Sequence, residues 1–283
     1  MVKIMDIKFT KIQGLGNDFI IIDNRKYKFT NEKLSKLAAR LCTRKLSIGA
    51  DGFMAVDNAE SKGDFKMRFY NSDGSLGEMC GNGARCIARY AFVNNIADKN
   101  MKFETESGLV RAQIKEGRLV TVQLNNPEII DLSRKVNIDG KIYNCSYVEL
   151  GNPGVPHAVI EYKGLNNINT NEIFDLGKAL RYNRAFLKGA NVNFYDVLDE
   201  TTAIVKTYER GVEDFTLACG TGSASTAIVL ILKNILKKDN VKIIVPGGNL
   251  YIKIEKEELQ VTKVFLTGNT NIICEGAIID EEI

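Results

Sequence analysis

Apolar and polar residues alternate along two long segments of the chain, and each segment predicts a β-hairpin. The segments are MKFETESGLVRAQIKEGRLVTVQL, which begins at Met101, and VKIIVPGGNLYIKIEKEELQVTKV, which begins at Val241. In each, the alternation stops at a turn containing Ser-Gly or Gly-Gly, resumes, and stops again at a charged turn. A period of two residues is typical of strands that bury one face.

The hairpins are the last part of a repeat that extends through most of the chain. Each hairpin follows a Cys-Gly-x-Gly tetrad and an apolar run that predicts a helix, and the tetrads begin at Cys80 and Cys219. The matching elements upstream are the strands FKMRFY (65–70) and AIVKTY (203–208), the strands DFIIID (18–23) and NFYDV (193–197), and the helices 31–44 and 171–183. This shared order indicates a gene duplication.

The repeat predicts an α+β protein with two similar halves. Each half is expected to wrap a curved, mostly antiparallel sheet or barrel around one central helix that begins after its cysteine, with the active site between the halves. We expect the first half to span 1–126, to carry Cys80 and to be joined by the last strand, 268–283. The second half, 127–267, carries Cys219, and the boundary falls near Asn125-Asn126-Pro127, where the first hairpin ends.

The two cysteine tetrads are the strongest candidates for chemistry. A cysteine at a helix N-terminus faces unsatisfied N–H groups and the positive end of the helix dipole, which lower the pKa of its thiol. The glycines allow close approach of the backbone to a ligand, and the same N–H groups can bind a carboxylate. If Cys80 and Cys219 address opposite faces of one carbon, one thiolate can remove the α-proton while the other thiol donates a proton.

Composition excludes several other classes of function. The 283 residues include 38 Lys and Arg and 35 Asp and Glu, a net charge of +3 spread along the chain, so we expect no nucleic-acid partner. No apolar run approaches the roughly 18 to 20 residues that span a bilayer, and the N-terminus has no signal-peptide core, so we expect a cytoplasmic protein with no membrane partner.

A metal or cofactor site is not expected either. The chain has one histidine and no Cys-x-x-Cys pair, which argues against a zinc site. The segment GLGNDF (14–19) begins like a dinucleotide-binding motif, but Phe19 stands where the third glycine belongs. The segment GADG (49–52) is interpreted as a turn.

Five segments resemble the motifs of the diaminopimelate epimerase family. They are FTKIQGLGNDFIIID, GADG, FYNSDGSLGEMCGNGARC, ANVNF and YERGVEDFTLACGTGSAS. That family belongs to the two-thiol racemases and epimerases that work without PLP or another cofactor. The resemblance implies an isomerase that converts LL-diaminopimelate to meso-diaminopimelate, for lysine and peptidoglycan precursor synthesis. It also implies a homodimer, although Cys274 stands where family members often have an interface tyrosine.

The resemblance implies roles for individual residues. Cys80 and Cys219 become the acid/base pair, and His157 and Glu209 tune the pKa of the thiols. The residues implied to bind the small amino acid substrate are Asn17, Asn71, Gly81, Asn82, Asn152, Asn191, Glu209, Arg210, Gly220 and Thr221. In this set Asn71, Asn191 and Arg210 would hold the distal end of the substrate, because a second carboxylate needs a bidentate cation.

Two departures from the family pattern keep alternatives open. Residues 154–156 separate Gly-Asn-Pro from His157, so either Asn152 or Val155 takes the position that faces the substrate. Phe215 adds bulk before the second tetrad, where a polar residue is common. A racemase of the same mechanism acting on histidine or a diaminopimelate analogue is therefore an alternative. A non-catalytic amino-acid-binding protein and a thiol-based redox sensor are alternatives from other classes.

Overall fold

The computed structural model describes residues 6–77 and 80–279, and in it the chain forms two compact units. The N-terminal unit comprises the described residues up to Val122 together with those from Gly268 onward, and the C-terminal unit is Gln123–Thr267. The boundary expected from the sequence lies a few residues further along the chain. Glu78 and Met79, which belong to the first cysteine motif, lie outside the described residues.

The N-terminal unit contains strands from both ends of the chain. Its strands are β1 (Ile7–Gly14), β2 (Asn17–Asp23), β3 (Gly52–Asp57), β4 (Phe65–Asn71), β5 (Asn100–Thr105), β6 (Gly108–Ile114), β7 (Leu119–Leu124) and the last strand of the chain, β17 (Asn271–Ile278). Its helices are α1 (Asn24–Tyr27), α2 (Asn31–Leu41) and α3 (Gly81–Val93).

The C-terminal unit has a similar set of elements. Its strands are β8 (Pro127–Ile138), β9 (Lys141–Leu150), β10 (Val155–Glu161), β11 (Asn191–Asp199), β12 (Thr202–Glu209), β13 (Asp214–Thr216), β14 (Asn240–Val245), β15 (Gly248–Glu257) and β16 (Gln260–Asn269). Its helices are α4 (Phe174–Arg181) and α5 (Gly220–Leu232), and a 3₁₀ helix (Thr170–Ile173) precedes α4.

The two units share one order of strand pairing. In the N-terminal unit β2 pairs parallel with β3, β3 antiparallel with β4, β4 parallel with β5, and β5 antiparallel with β6. In the C-terminal unit the same alternation runs through β10, β11, β12, β14 and β15. In both, the central helix connects the third and fourth of these strands. The predicted duplicated α+β fold is confirmed.

The register of pairing identifies equivalent residues, and it corrects one match made from the sequence. One row joins Ile20, Phe53 and Tyr70, and the corresponding row joins Ala158, Val192 and Tyr208. Strand β2 therefore corresponds to β10, and β3 corresponds to β11. Matching DFIIID in β2 with NFYDV in β11 was wrong, because neighbouring parallel strands have similar apolar runs and only the pairing distinguishes them.

Burial explains why each unit needs its helices. Helix α5 is buried along nearly its whole length and is apolar on all sides from Ala227 to Leu232, and α3 is buried over its first eight residues. Helix α2 is amphipathic: Leu34, Leu37 and Leu41 pack on the other face of the sheet, against Phe53 and Tyr70. It ends three residues before the predicted limit of 44. None of the described helices is long and apolar enough to cross a membrane.

The segment GLGNDF (14–19) joins two antiparallel strands. Gly14 ends β1 and Asn17 begins β2, and the two pair with each other. Between them Leu15 and Gly16 both have positive φ, at 57° and 91°. This backbone makes a tight hairpin turn, so the segment is not the start of a dinucleotide-binding helix.

Candidate active site

Both tetrad cysteines occupy the N-cap positions of the central helices. Cys80 has φ −111° and ψ 121° and precedes α3, and Cys219 has φ −110° and ψ 110° and precedes α5. The first helical hydrogen bonds are donated by Ala84 N–H to Cys80 O, at 2.8 Å, and by Ser223 N–H to Cys219 O, at 2.9 Å. Each sulfur is thus carried by the residue next to the unsatisfied N–H groups and the positive end of a helix dipole.

Asn17 connects Cys80 to the sheet. Its Nδ2 donates to Asp51 Oδ2 at 2.7 Å, which turns Oδ1 toward the first tetrad. The Cys80 thiol donates to this Oδ1 at 3.6 Å, and Asn82 Nδ2 donates to it at 3.5 Å. Three residues implied by the family resemblance, Asn17, Cys80 and Asn82, therefore form one contact group within the N-terminal unit.

A charged cluster holds Asp51 and Asn17 in place. Arg44 donates to both oxygens of Asp18, at 2.6 and 3.2 Å, and also to Asp51 Oδ1 at 2.9 Å. Lys11 Nζ lies 3.1 Å from Asp18 Oδ2. Burial acts to raise the pKa of Asp18, but the hydrogen bonds and charges of Arg44 and Lys11 outweigh it and lower the pKa. This carboxylate is therefore ionised. The backbone N–H of Asp18 donates to Asp51 Oδ2, and that of Asp51 donates to Asp18 Oδ1, which completes the link between β2 and the start of β3.

Arg85 is a buried cation that the sequence analysis did not single out. It lies five residues after Cys80 on α3 and is fully buried. Its Nη1 donates to Gly81 O at 3.2 Å and its Nη2 donates to Asn82 Oδ1 at 2.9 Å. Among the described residues its Nε has no hydrogen-bond partner. Burial lowers the pKa of this guanidinium, and the nearby thiols Cys86 and Cys80 act in the opposite direction.

The bond from Arg85 also fixes the amide of Asn82. Because Oδ1 accepts from Arg85, the NH₂ group of Asn82 is left to point toward Asn17. Asn82 is 4% exposed, so few alternative partners are available to it. The one sequence signal for this arrangement is an arginine in the first turns of the helix GNGARCIARYAFV, where its neighbours Ala84, Cys86 and Ile87 are small or apolar.

The second tetrad has a different polar neighbourhood. Cys219 Sγ lies 3.6 Å from Thr221 Oγ1, and Gly220 begins the helix. A Cβ added to Gly222 would lie 2.1 Å from Asn193 Oδ1, so no side chain fits there without displacing Asn193. A Cβ added to Gly83, the matching glycine, would meet Phe19 Cζ at an ordinary 3.5 Å.

His157 is fully buried in β10, one of the strands that pack against α5. Its Nδ1 lies 3.2 Å from Asn193 Nδ2. Burial, followed by the charge of Arg210, lowers the pKa of His157 to about 3, so the imidazole is neutral at physiological pH. Any influence of His157 on the thiols is therefore that of a neutral hydrogen-bonding group.

The residues implied to bind the distal end of the substrate lie at strand ends. In the C-terminal unit Asn191 Oδ1 accepts from Arg210 N–H at 2.8 Å, and Arg210 Nη1 donates to Lys188 O at 3.0 Å. Glu209 ends β12 immediately before Arg210. In the N-terminal unit Asn71 ends β4 and donates to Ser75 Oγ at 2.9 Å within an exposed turn.

The two candidates for the remaining position lie in different surroundings. Asn152 is exposed in the turn before β10, whereas Val155 is the first residue of β10. By the register of pairing Val155 corresponds to Asn17. Val155 lies two residues before His157, the first residue that pairs with β11, and Asn17 lies two residues before Phe19, the first that pairs with β3. Phe215 packs its ring against Phe194 and Tyr208, with centroids 6.0 and 5.6 Å apart, so it serves the core of the C-terminal unit.

Comparison with known proteins agrees with these motifs. The family model described as diaminopimelate epimerase matches residues 9–130 and 150–273, which include both tetrads. The chain belongs to the diaminopimelate epimerase family. The resemblance seen in the sequence is confirmed, and it places the chain among isomerases.

Full-length relatives carry the same family name. The diaminopimelate epimerase of Aquifex aeolicus (strain VF5) is 39% identical over 284 residues, covering 97% of this chain and 99% of that protein. The diaminopimelate epimerase of Hydrogenobaculum sp. (strain Y04AAS1) is 41% identical over 282 residues, covering 95% and 97%.

Solved structures share the fold at much lower identity. A phenazine biosynthesis protein of the PhzF family from Bacillus anthracis superposes with a TM-score of 0.72 at 12% identity, over 98% of this chain and 100% of that chain. A hydroxyproline epimerase from Agrobacterium vitis gives 0.71 at 15% identity, over 98% and 94%. These likenesses concern the fold alone.

Proposed function

We propose that the chain interconverts LL- and meso-diaminopimelate by two-thiol acid/base chemistry, with Cys80 and Cys219 as the catalytic residues. The observation that carries the proposal is the pair of cysteines at equivalent N-caps of a duplicated fold, in a member of the diaminopimelate epimerase family. Diaminopimelate is the substrate named for the full-length relatives.

The reaction exchanges one proton for another at the α-carbon. The thiolate of one cysteine takes the α-proton, and the electron pair left on carbon is delocalised into the α-carboxylate. The thiol of the other cysteine then gives its proton to the opposite face, which inverts the centre. At the end of the reaction the first cysteine is a thiol and the second is a thiolate, and these are the states that the reverse reaction requires.

The helix N-termini supply stabilisation for the developing charge. The N–H groups that begin at Gly81 and Asn82, and at Gly220 and Thr221, have the orientation and partial charge to hold the α-carboxylate. Asn17 is held with its Oδ1 toward Cys80, which suits contact with the substrate amino group. Glu209 is assigned to the same amino group, and with His157 to tuning the two thiols.

The distal amino acid end is assigned to Arg210, Asn71 and Asn191. The bond from Arg210 N–H to Asn191 Oδ1 fixes the backbone of Arg210 directly after β12, and its guanidinium donates from Nη1 to Lys188 O. A guanidinium pairs with a carboxylate through two parallel hydrogen bonds. Asn152 is kept as a candidate contact because a turn residue can adjust to a ligand.

Deuterium incorporation at the α-carbon tests this function. We expect the protein in D₂O to exchange the α-proton of diaminopimelate faster than that of lysine or histidine, with chiral analysis showing both isomers. Arg210→Met should lower kcat/KM for diaminopimelate by about 10²-fold or more, because a carboxylate loses its charged partner. The matched control is Arg184→Met, at an exposed arginine of the same unit. Faster exchange with histidine, or an Arg210→Met variant with unchanged kcat/KM, would contradict the assignment.

We also propose that the protein works in the cytoplasm as a homodimer. A reducing compartment keeps thiols available for acid/base chemistry, and the homodimer follows from the family resemblance. Cys274 is exposed on β17, in the position where family members often have an interface tyrosine. Light scattering on the purified protein measures the mass; a monomer at the concentration of the assay would contradict the dimer.

A further inference from the structure

The side-chain amide of Asn193 has a single possible orientation. One end of the amide lies 2.9 Å from Ala158 O and 3.4 Å from Asn191 O. Backbone carbonyls only accept hydrogen bonds, so this end must be the NH₂ group. The other end, Oδ1, accepts from Thr207 Oγ1 at 3.0 Å. All of these groups lie within the C-terminal unit, and Asn193 is fully buried.

This orientation decides the proton position on His157. The same NH₂ group of Asn193 lies 3.2 Å from His157 Nδ1. A donor facing Nδ1 requires a lone pair on that nitrogen, so the proton of the neutral imidazole is on Nε2. A proton on Nδ1 would place two N–H groups against each other in a site without water access, which is costly.

The glycine of the second tetrad is part of this arrangement. A Cβ at Gly222 would meet Asn193 Oδ1 at 2.1 Å and Cys219 Sγ at 3.2 Å. Asn193 therefore lies directly against the first turn of α5, close to the helix N-terminus that carries Cys219. Any side chain at Gly222 would displace the amide that faces His157.

The far nitrogen of His157 is left available. His157 Nε2 is buried and has no hydrogen-bond partner among the described residues. A buried donor without an acceptor is unfavourable, so a site that retains one is suited to a ligand or reaction step that supplies the acceptor.

We propose, on the basis of the epimerase function proposed above, that Asn193 is a positioning residue that holds His157 as the Nε2–H tautomer. It does so through hydrogen bonds that run from Thr207 to Asn193 and from Asn193 to His157. In this tautomer His157 serves the reaction as a neutral hydrogen-bond donor, and neither as a base nor as a cation.

Nitrogen NMR of the imidazole tests the proposal directly. The chain contains one histidine, so a protein labelled with ¹⁵N-histidine gives the signals of His157 alone. Once any tag has been removed, we expect a protonated Nε2 and an unprotonated Nδ1, with no change between about pH 5 and 8. A protonated Nδ1 in the wild-type protein, or an imidazolium in that range, would overturn the proposal.

Asn193→Asp is the most informative variant. A carboxylate can only accept, so it favours a proton on Nδ1 and stabilises the imidazolium. We expect the NMR signals to change to Nδ1–H or the cation, and kcat to fall by about 10²-fold with a much smaller change in KM. An Asn193→Asp protein that keeps the Nε2–H signals, or keeps wild-type kcat, would overturn the positioning role.

Thr207 provides a milder variant with matched controls. Thr207→Val removes the donor to Asn193 Oδ1 at nearly constant volume, and should lower kcat several-fold while Thr207→Ser restores it. Thr202→Val makes the same change in the same strand, away from Asn193, and should leave the imidazole signals unchanged. Equal effects of Thr202→Val and Thr207→Val would reduce the finding to general destabilisation and contradict the proposal.

The two proposals fail in different ways. A wild-type protein that exchanges no α-proton of diaminopimelate refutes the proposed function, whatever the imidazole signals show. An active protein with a proton on Nδ1 refutes the inference about Asn193 and leaves the epimerase function intact.

Discussion

The surroundings of Cys80 and Cys219 have nearly the same backbone and opposite polarity. One row of the N-terminal sheet pairs Met54 with Phe69, and the corresponding row of the C-terminal sheet pairs Asn193 with Thr207. At the next equivalent position the N-terminal unit has Phe19 where the C-terminal unit has His157. At these positions the sheet beside the first helix is apolar, and the sheet beside the second is polar.

In the helices the difference is reversed, because the polar residue lies in the first helix and the apolar residue in the second. Arg85 lies five residues after Cys80, and the residue five positions after Cys219 is Ala224. The fully buried ionisable side chain Arg85 thus comes from the helix of one unit, and the fully buried His157 comes from the sheet of the other. The groups also differ in charge, because Arg85 is a cation and His157 is neutral. Duplication preserved the position of the sulfur, whereas the group that accompanies it diverged.

The largest effect on activity should come from substitution of Cys80 or Cys219, the residues that the two units still share. Cys80→Ala and Cys219→Ala should each lower epimerisation by about 10²- to 10⁴-fold, because each removes an acid/base group that no neighbour replaces. Cys145→Ala and Cys274→Ala, at free thiols outside the tetrads, should retain most of the activity. Turnover is measured by α-proton exchange and by chiral analysis. A Cys80→Ala protein with wild-type turnover would show that the shared N-cap geometry is structural only.

A second, smaller difference should separate the two tetrad glycines. Gly222→Ala forces its Cβ against the buried amide of Asn193, so we expect unfolding free energy to fall by about 1–3 kcal/mol, together with activity. Gly83→Ala meets only ordinary contacts and should change stability by less than about 1 kcal/mol. Denaturant unfolding of the two variants checks this. Equal losses of stability would mean that both tetrads are equally crowded.

The smallest effect should come from the buried cation. Arg85→Met removes a positive charge near Cys80, so the thiolate of Cys80 is less favoured. The limb of the kcat/KM profile that reports ionisation of the essential base should move to higher pH, by about one pH unit. Arg89→Met, on the same helix one turn further on, is the control. An unmoved limb would show that Arg85 acts only by orienting Asn82.

Arg85→Lys separates the effect of the positive charge on Cys80 from the effect of Arg85 on the orientation of Asn82. A lysine keeps the charge but lacks the planar fork that bonds both Gly81 O and Asn82 Oδ1. We expect the variant to keep the pH profile closer to wild type than Arg85→Met, while kcat falls.

Most of the site residues could be named from the sequence because they lie in local patterns. The tetrads put the cysteines and glycines at a helix start within four residues, and cap geometry depends on such short-range order. Apolar alternation located the hairpins, and the repeat located the central helices, in agreement with the structure. Asn17, Asn191 and Arg210 came from resemblance alone, since nothing in their immediate neighbours marks them.

The residues that sequence reasoning missed act through contacts between distant segments. Asn193 meets His157 across a separation of 36 residues, and Asp51 meets Asn17 across 34. Arg85 was missed for a different reason: its partners are close in sequence, but its burial depends on the sheet around the helix. Periodicity reports which face is buried, and it carries no information on which buried polar groups meet.

The sequence by itself determined the duplication, the α+β class, the two helix-capping cysteines and the family, because each depends on local order or on motifs read along the chain. The tertiary structure decided which strands are equivalent, since parallel pairing joins segments that look alike in isolation. It also decided the charge and proton position of the groups beside each thiol. A buried polar atom must satisfy its hydrogen bonds with whatever the fold brings next to it, and those partners come from other strands.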